Sequence, residues 1–145
     1  MREGAYYPAF TLYVRRSRVR SHEALSIIVP CDTPASELAD AGAIIVSGGP
    51  QSVFDPESLR VDVAVWALPV PILGVCYGAQ LMCRDLGGAV EEASVGEYGP
   101  AKLRVANGGS GVIPASADGT VVWMSHRDRV TRRAKPAPWS ESLQI

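Results

Sequence analysis

Short apolar runs alternate with segments of helical spacing along the middle of the chain. Three runs that are apolar or β-branched predict buried strands, at 26–29, 43–46 and 71–75. Three segments predict helices, at 35–41, 59–67 and 79–86. Strands that alternate with helices are typical of crossover units in a parallel sheet. The pattern therefore predicts an α/β fold built on a parallel sheet.

Several residues define these helices more closely. Thr33 is predicted to cap the first helix, with Pro34 at its first position. In the second helix we expect a buried side formed by Val61, Val65 and Leu68. The predicted buried face of the third comprises Ala79, Met82, Cys83 and Leu86, and Gly87-Gly88 supplies its left-handed stop.

The pattern changes after Gly88. Residues 89–93 and 101–105 alternate between apolar and polar, which predicts two half-exposed antiparallel strands. Residues 120–124 predict a further strand. The sequence thus adds a small antiparallel strand set to the parallel sheet.

Candidate chemistry lies where the strand at 71–75 meets the following helix. Cys76 stands between Gly74 and Gly78, the arrangement of a nucleophile elbow. Its thiol would lie at the positive end of the helix, which favours a thiolate, and the Tyr77 N–H could stabilise an oxyanion. The alternative is a cysteine buried in the core.

A second glycine pair follows the strand at 43–46. Gly48 and Gly49 lie at its carboxyl end, the edge where open α/β sheets bind ligands. Two adjacent glycines let the backbone approach a substrate closely and direct N–H groups at it. The alternative is an ordinary Gly-Gly-Pro turn.

Composition narrows the class of protein. The 145 residues suit a single domain, and 47% hydrophobic with 20% charged residues is typical of a globular protein. A net charge of −1 gives no indication of a nucleic acid partner, and no apolar run is long enough to predict a membrane span. The three cysteines have no metal-site spacing, which predicts no metal and favours the reducing cytoplasm.

Three stretches carry a resemblance to a known family. Residues 74–80, GVCYGAQ, resemble the G-x-C-x-G-x-Q signature of the class I glutamine amidotransferases. Residues 47–58 and 122–130 are similar to the amidotransferase domain of the GMP synthases within that family. The resemblance divides the chain into a poorly matching segment at 1–14, a partial amidotransferase domain at 15–131 and a flexible tail at 132–145.

The resemblance implies a flavodoxin-like α/β fold, with an open, mostly parallel sheet, helices on both faces and a small antiparallel strand set, as an incomplete class I amidotransferase fold. It also implies a role for each candidate residue. Cys76 would attack the side-chain amide of glutamine, and Gly49 would join Tyr77 in the oxyanion hole. Gln80 and Gly48 would contact the substrate; alternatively, Gln80 is a helix residue facing solvent. The ammonia would convert XMP to GMP on an ATP pyrophosphatase (synthetase) domain or subunit. ATP and magnesium are expected only there, and no cofactor in this domain.

Near the end of the resemblance, Ser125, His126 and Asp128 match the family's Ser-His-Gly-Asp stretch, with Arg127 in place of glycine. They are expected at the pocket rim or a domain face. His126 could also be an ordinary loop histidine, or the base of a related cysteine hydrolase.

The family's catalytic histidine and glutamate come from a later His-Pro-Glu segment, and no His-x-Glu follows Cys76 in these 145 residues. The expectation is therefore a truncated domain that is weakly active or inactive alone. There are two alternatives. The chain could be a different class I amidotransferase, or a non-catalytic fragment that binds glutamine or a synthetase.

Overall fold

The computed structural model describes residues 19–105 and 112–133. The strands in these ranges are β1 (Ile44–Val46), β2 (Ile72–Gly74), β3 (Ala89–Lys102) and β4 (Val121–Arg132). The α-helix, α1, spans Tyr77–Asp85, and the 3-10 helices span Ala35–Glu37, Val63–Ala67 and Ala115–Ala117. The segment predicted at 1–14 as a poor match lies outside the described residues. So does the tail predicted at 132–145, except for residues 132 and 133.

A parallel strand pair forms the base of the site. β1 and β2 pair in parallel from Ile44 opposite Ile72 to Val46 opposite Gly74. The chain crosses between them through the 3-10 helix Val63–Ala67, and α1 follows β2 directly. The strands predicted at 43–46 and 71–75 are confirmed, and both carboxyl ends face the same edge of the sheet.

The core lies between this strand pair and α1. Its most buried side chains are Val53 and Leu81, with 0% and 1% of their surfaces exposed, and Val65, Trp66 and Tyr77 pack around them. Apolar burial of this kind is the main stabilising contribution to the fold.

The second sheet is an antiparallel ribbon of β3 and β4, which differs from the prediction of several short strands. Residues 89–93 and 101–105 do not pair with each other. Residues 89–102 form one strand, which pairs with β4 from Ala89 opposite Arg132 to Lys102 opposite Val121, with an irregularity between Glu92 and Glu97. The strand predicted at 120–124 is longer than expected, because β4 continues through residues 125–128.

Two other expectations are corrected. Residues 26–29 form no strand: no described strand pairs with them, and Ile27 is 78% exposed. The helix predicted at 35–41 is only the 3-10 turn Ala35–Glu37. Its N-cap residue is Pro34 rather than Thr33, whose hydroxyl donates to the Pro30 carbonyl.

The helix predicted at 59–67 is also shorter than predicted, whereas the one predicted at 79–86 begins two residues earlier, at Tyr77, and ends at Asp85. The first is the 3-10 turn Val63–Ala67, and its expected buried side is correct, since Val61 and Leu68 pack against the core with Val65. On α1 the predicted face is only partly correct. Leu81 belongs to the core and Leu86 is exposed, because the ribbon covers a second side of the helix.

α1 ends as predicted. Gly87 has a φ of 80°, and the N–H of Gly88 donates to the Cys83 carbonyl at 2.8 Å. This left-handed stop turns the chain directly into β3. Across 19–105 and 112–133, no helix is both long and apolar enough to span a bilayer.

Candidate active site at the strand-to-helix elbow

Cys76 occupies a strained turn between β2 and α1. Its φ and ψ are 53° and −116°, and it is the N-cap residue of α1. A non-glycine residue with this conformation costs of the order of 1–3 kcal/mol, and such residues cluster at functional sites. The Cys76 side chain is exposed. The strained turn with an exposed thiol is the geometry of a nucleophile elbow.

The two flanking glycines allow this turn. A Cβ on Gly78 would lie 2.1 Å from the Val46 carbonyl oxygen, and one on Gly74 would lie 2.7 Å from Cα of Ala79. Both contacts are with backbone atoms, so a side chain could not be accommodated without moving an element. The close approach seats the start of α1 against the carboxyl end of β1.

The two candidate donors for an oxyanion are the backbone N–H groups of Tyr77 and Gly49, which lie on either side of the contact between Gly78 and Val46. As the first residue of α1, Tyr77 has an N–H group with no acceptor inside the helix. Its buried side chain donates a hydrogen bond to the Leu59 carbonyl. Gly48 and Gly49 follow β1 and are half-buried, and a Cβ on Gly49 would meet open space within 4 Å. Substrate can therefore approach the backbone at Gly49.

A cavity of about 430 Å³ opens beside Cys76. The side of α1 contributes Ala79 and Gln80, and the ribbon contributes the remaining walls. The lining residues from the ribbon are Glu97, Met124, His126, Asp128, Arg129 and Val130. Cys76 thus lines a cavity whose surface is mostly apolar and includes a few charged side chains, a combination typical of small-molecule sites.

Asp128 fixes the ribbon to the rest of the site. It is 3% exposed, and its Oδ2 accepts hydrogen bonds from the Ser52 hydroxyl at 2.6 Å and the Val53 N–H at 3.1 Å. Its main-chain carbonyl accepts a hydrogen bond from Nε2 of Gln80 at 2.6 Å. Asp128 therefore joins β4 both to α1 and to the segment that follows the two glycines.

Gln80 is buried, with 7% of its surface exposed. The solvent-facing alternative for this side chain is therefore wrong. Its amide nitrogen is held by Asp128, so contact with a substrate would involve the rest of the side chain.

His126 lies on the wall formed by β4. Its Nε2 is 3.4 Å from Oε2 of Glu97, the residue opposite it in the ribbon. Its Nδ1 is buried and has no hydrogen-bond partner among the described residues. The loop-histidine alternative is wrong, because the strand fixes this side chain toward the cavity.

The ribbon separates the other predicted residues of this stretch. Successive side chains of a strand point to opposite faces. His126 and Asp128 line the cavity, whereas Ser125 and Arg127 are exposed and do not. Arg127, which replaces the family's glycine, therefore leaves the cavity open. Sequence reasoning missed Glu97, which only the pairing of β3 with β4 reveals.

The three cysteines differ in environment. Burial raises the pKa of the Cys31 thiol, and the neighbouring Asp32 raises this pKa further. Cys83 is buried, and its sulfur lies 3.4 Å from the Arg132 carbonyl oxygen. Cys76 is the exposed thiol of the three, and all are free.

The fold and the elbow define a class of protein. The family model for class I glutamine amidotransferases matches residues 8–144, and the chain belongs to this family.

A GMP synthase (glutamine-hydrolysing) of Gloeobacter violaceus is 47% identical over 118 residues. This match covers 79% of the chain and 21% of that relative. The corresponding enzyme of Thermus thermophilus is 44% identical over 125 residues, covering 84% of the chain and 24% of the relative. The chain spans about a fifth of the length of the first of these curated relatives.

A solved structure agrees with this assignment. A protein of Thermoplasma acidophilum assigned as a GMP synthase subunit superposes with a TM-score of 0.60 at 25% sequence identity. The superposition covers 90% of this chain and 64% of that one. The predicted fold class, the α/β fold of the class I amidotransferases, is thereby confirmed.

Proposed function

We propose that this chain is the glutaminase part of a GMP synthase, with Cys76 as its nucleophile. The observation that carries the proposal is the exposed thiol of Cys76 on a strained elbow beside the cavity. The identity of 44–47% to glutamine-hydrolysing GMP synthases supports glutamine as the substrate.

The reaction follows from the groups at the elbow. Sγ of Cys76 attacks the side-chain amide carbon of glutamine, and the carbonyl electron pair moves onto oxygen. The N–H groups of Gly49 and Tyr77 stabilise this oxyanion. Ammonia leaves when its nitrogen is protonated and the C–N bond breaks, and water then hydrolyses the thioester to glutamate and free thiol. Gly48 and Gln80 contact the bound glutamine.

The remaining parts of the proposal concern the destination of the ammonia. It passes to an ATP-dependent synthetase domain or subunit, which uses it to convert XMP to GMP and holds the ATP and magnesium. The Thermoplasma acidophilum protein is described as a subunit, which supports a synthetase on a separate partner chain as one possible arrangement. The free thiols support a cytoplasmic location.

The test measures ammonia release from glutamine by the full chain, with glutamate dehydrogenase as the coupling enzyme that detects the ammonia. We expect release that is abolished in Cys76→Ala and retained in Cys31→Ala, a cysteine outside the site. A chloroketone analogue of glutamine should label the chain once, at Cys76, and mass spectrometry would locate the label. If neither ammonia release nor labelling at Cys76 occurs, the glutaminase proposal fails and the chain is a non-catalytic fragment.

A further inference from the structure

Gly49 lies on a short segment that is held at both of its ends. The segment comprises residues 47–52 and is called the glycine segment below; it connects β1 to the buried residue Val53. At its start, the Val46 carbonyl accepts a hydrogen bond from the Val75 N–H at 3.0 Å, directly before the elbow. At its end it is held through Val53 and the residue before it. An amide donor stabilises an oxyanion only if its position is fixed in advance, so the two ends matter for catalysis.

Val53 is held through its side chain and both of its backbone polar groups. The side chain is buried in the core, with 0% of its surface exposed. The carbonyl accepts hydrogen bonds from the guanidinium groups of Arg60, at 3.0 Å, and of Arg84 on α1. The N–H donates to Oδ2 of Asp128 at 3.1 Å. This last bond ties the end of the glycine segment to the ribbon.

The Asp128 carboxylate makes a second bond to the glycine segment. Its Oδ2 also accepts the Ser52 hydroxyl at 2.6 Å, and that hydroxyl accepts the Phe54 N–H at 3.1 Å, which fixes its orientation. Asp128 is 3% exposed, and its Oδ1 is buried with no hydrogen-bond partner across 19–105 and 112–133. Burial of a carboxylate costs stability, and hydrogen bonds to a charged acceptor are stronger than neutral ones. The two bonds therefore hold the end of the glycine segment firmly.

The main chain of Asp128 is fixed relative to the elbow. Its carbonyl accepts a hydrogen bond from Nε2 of Gln80 at 2.6 Å. Gln80 lies four residues, about one helical turn, after Cys76, and its N–H donates to the Cys76 carbonyl at 3.0 Å. Asp128 thus connects the nucleophile to the glycine segment, through its main chain on one side and its carboxylate on the other.

We propose that Asp128 is a positioning residue for the oxyanion hole, which holds the backbone at Gly49 in place relative to Cys76. This inference rests on the proposed glutaminase function, in which the Gly49 N–H stabilises the oxyanion. The negative charge on oxygen develops only in the transition state. A displaced donor therefore weakens transition-state binding and leaves the binding of glutamine nearly unchanged. Loss of the Asp128 carboxylate should accordingly lower kcat and change KM little.

The first test compares kcat and KM for ammonia release. Asp128→Ala should lower kcat roughly 10- to 100-fold, because a misplacement of about 1 Å can cost as much as about 10²-fold. Asp128→Asn should retain most of the wild-type kcat, because its amide oxygen can accept both bonds. A loss in Asp128→Asn as large as that in Asp128→Ala overturns the proposal, since the negative charge rather than the two bonds would then be responsible.

Two further variants guard against a general loss of structure. Ser52→Ala removes one of the two bonds and should lower kcat by about 3- to 10-fold, and Ser52→Thr, which keeps the hydroxyl, should restore it. Asp118→Ala is the matched control, because the Asp118 carboxylate accepts the Val105 N–H at 2.7 Å and does not line the cavity. Its kcat and KM should equal those of the wild type.

The second test does not need turnover. Amide hydrogen exchange, followed by mass spectrometry, should become roughly tenfold faster in peptides that span 47–54 when Asp128→Ala removes the acceptor of the Val53 N–H. Asp128→Asn should exchange there at the wild-type rate, and peptides from α1 should be unchanged in both variants. Alkylation of Cys76 by iodoacetamide, which forms no oxyanion, should also keep its wild-type rate.

The outcomes separate the two proposals. Unchanged exchange at 47–54 in Asp128→Ala overturns the positioning role, whether or not the chain releases ammonia. An unchanged kcat in Asp128→Ala, or a slower alkylation of Cys76 that accounts for the fall in kcat, overturns it as well and leaves the glutaminase proposal standing. Absence of ammonia release and of glutamine-analogue labelling in the wild type overturns the glutaminase proposal instead, and with it the role of Asp128 in catalysis.

Discussion

Gly78→Ala tests whether the elbow depends on the contact between α1 and β1. The new Cβ would lie 2.1 Å from the Val46 carbonyl oxygen. A carbon and an oxygen in contact normally lie about 3.3 Å apart, so the start of α1 must move by about 1 Å. Overpacking of this kind costs about 3 kcal/mol when the neighbour is backbone. Alanine recovers about 1 kcal/mol through its higher helix propensity. We therefore expect a net loss of about 2 kcal/mol.

Urea unfolding followed by tryptophan fluorescence measures this loss, because Trp66 is buried in the core beside α1. With a slope of about 2 kcal/mol per molar urea, the midpoint should fall by about 1 M. Gly42→Ala is the matched control, since a Cβ there meets nothing within 4 Å. A Gly78→Ala variant that unfolds at the wild-type midpoint would refute the steric account of the elbow.

Three further predictions concern stability. Leu81→Ala should lower the free energy of unfolding by about 3 kcal/mol in urea, because Leu81 is 1% exposed. Trp66→Phe should cost about 1–2 kcal/mol through loss of the 3.0 Å hydrogen bond to Asp85, whereas Trp123→Phe, at a residue 76% exposed, should change the urea midpoint little. Two backbone N–H donors lower the pKa of Asp62, so its charged form contributes stability above the ordinary pKa, and this is lost as pH falls through the folded value. Asp62→Asn should therefore lower the thermal midpoint at pH 7, and the difference from wild type should narrow below about pH 4.

The sequence was sufficient to predict the two paired parallel strands and the elbow that joins β2 to α1. The elbow at Cys76 could be located because steric requirements at Gly74 and Gly78 leave a local signature. The left-handed stop at Gly87 is equally local. These features depend on a few adjacent residues, so they do not require knowledge of the tertiary structure.

The antiparallel half depends on distant contacts. Residues 125–128 lie in a strand only because β3 pairs with them along its full length. The exposure of 26–29 reflects the lack of a paired strand among the described residues, which no local pattern reports. Glu97 became a candidate only through its register with His126, since 28 residues separate the two along the chain.

The backbone conformation at Cys76 has a consequence for how this chain can evolve. Glycine at this position would relieve the strain of a φ of 53°, and stability alone would therefore favour it. The same replacement would delete the sulfur. Selection for stability and selection for reactivity therefore oppose each other at position 76. A homologue that no longer uses the thiol should be free to carry glycine there.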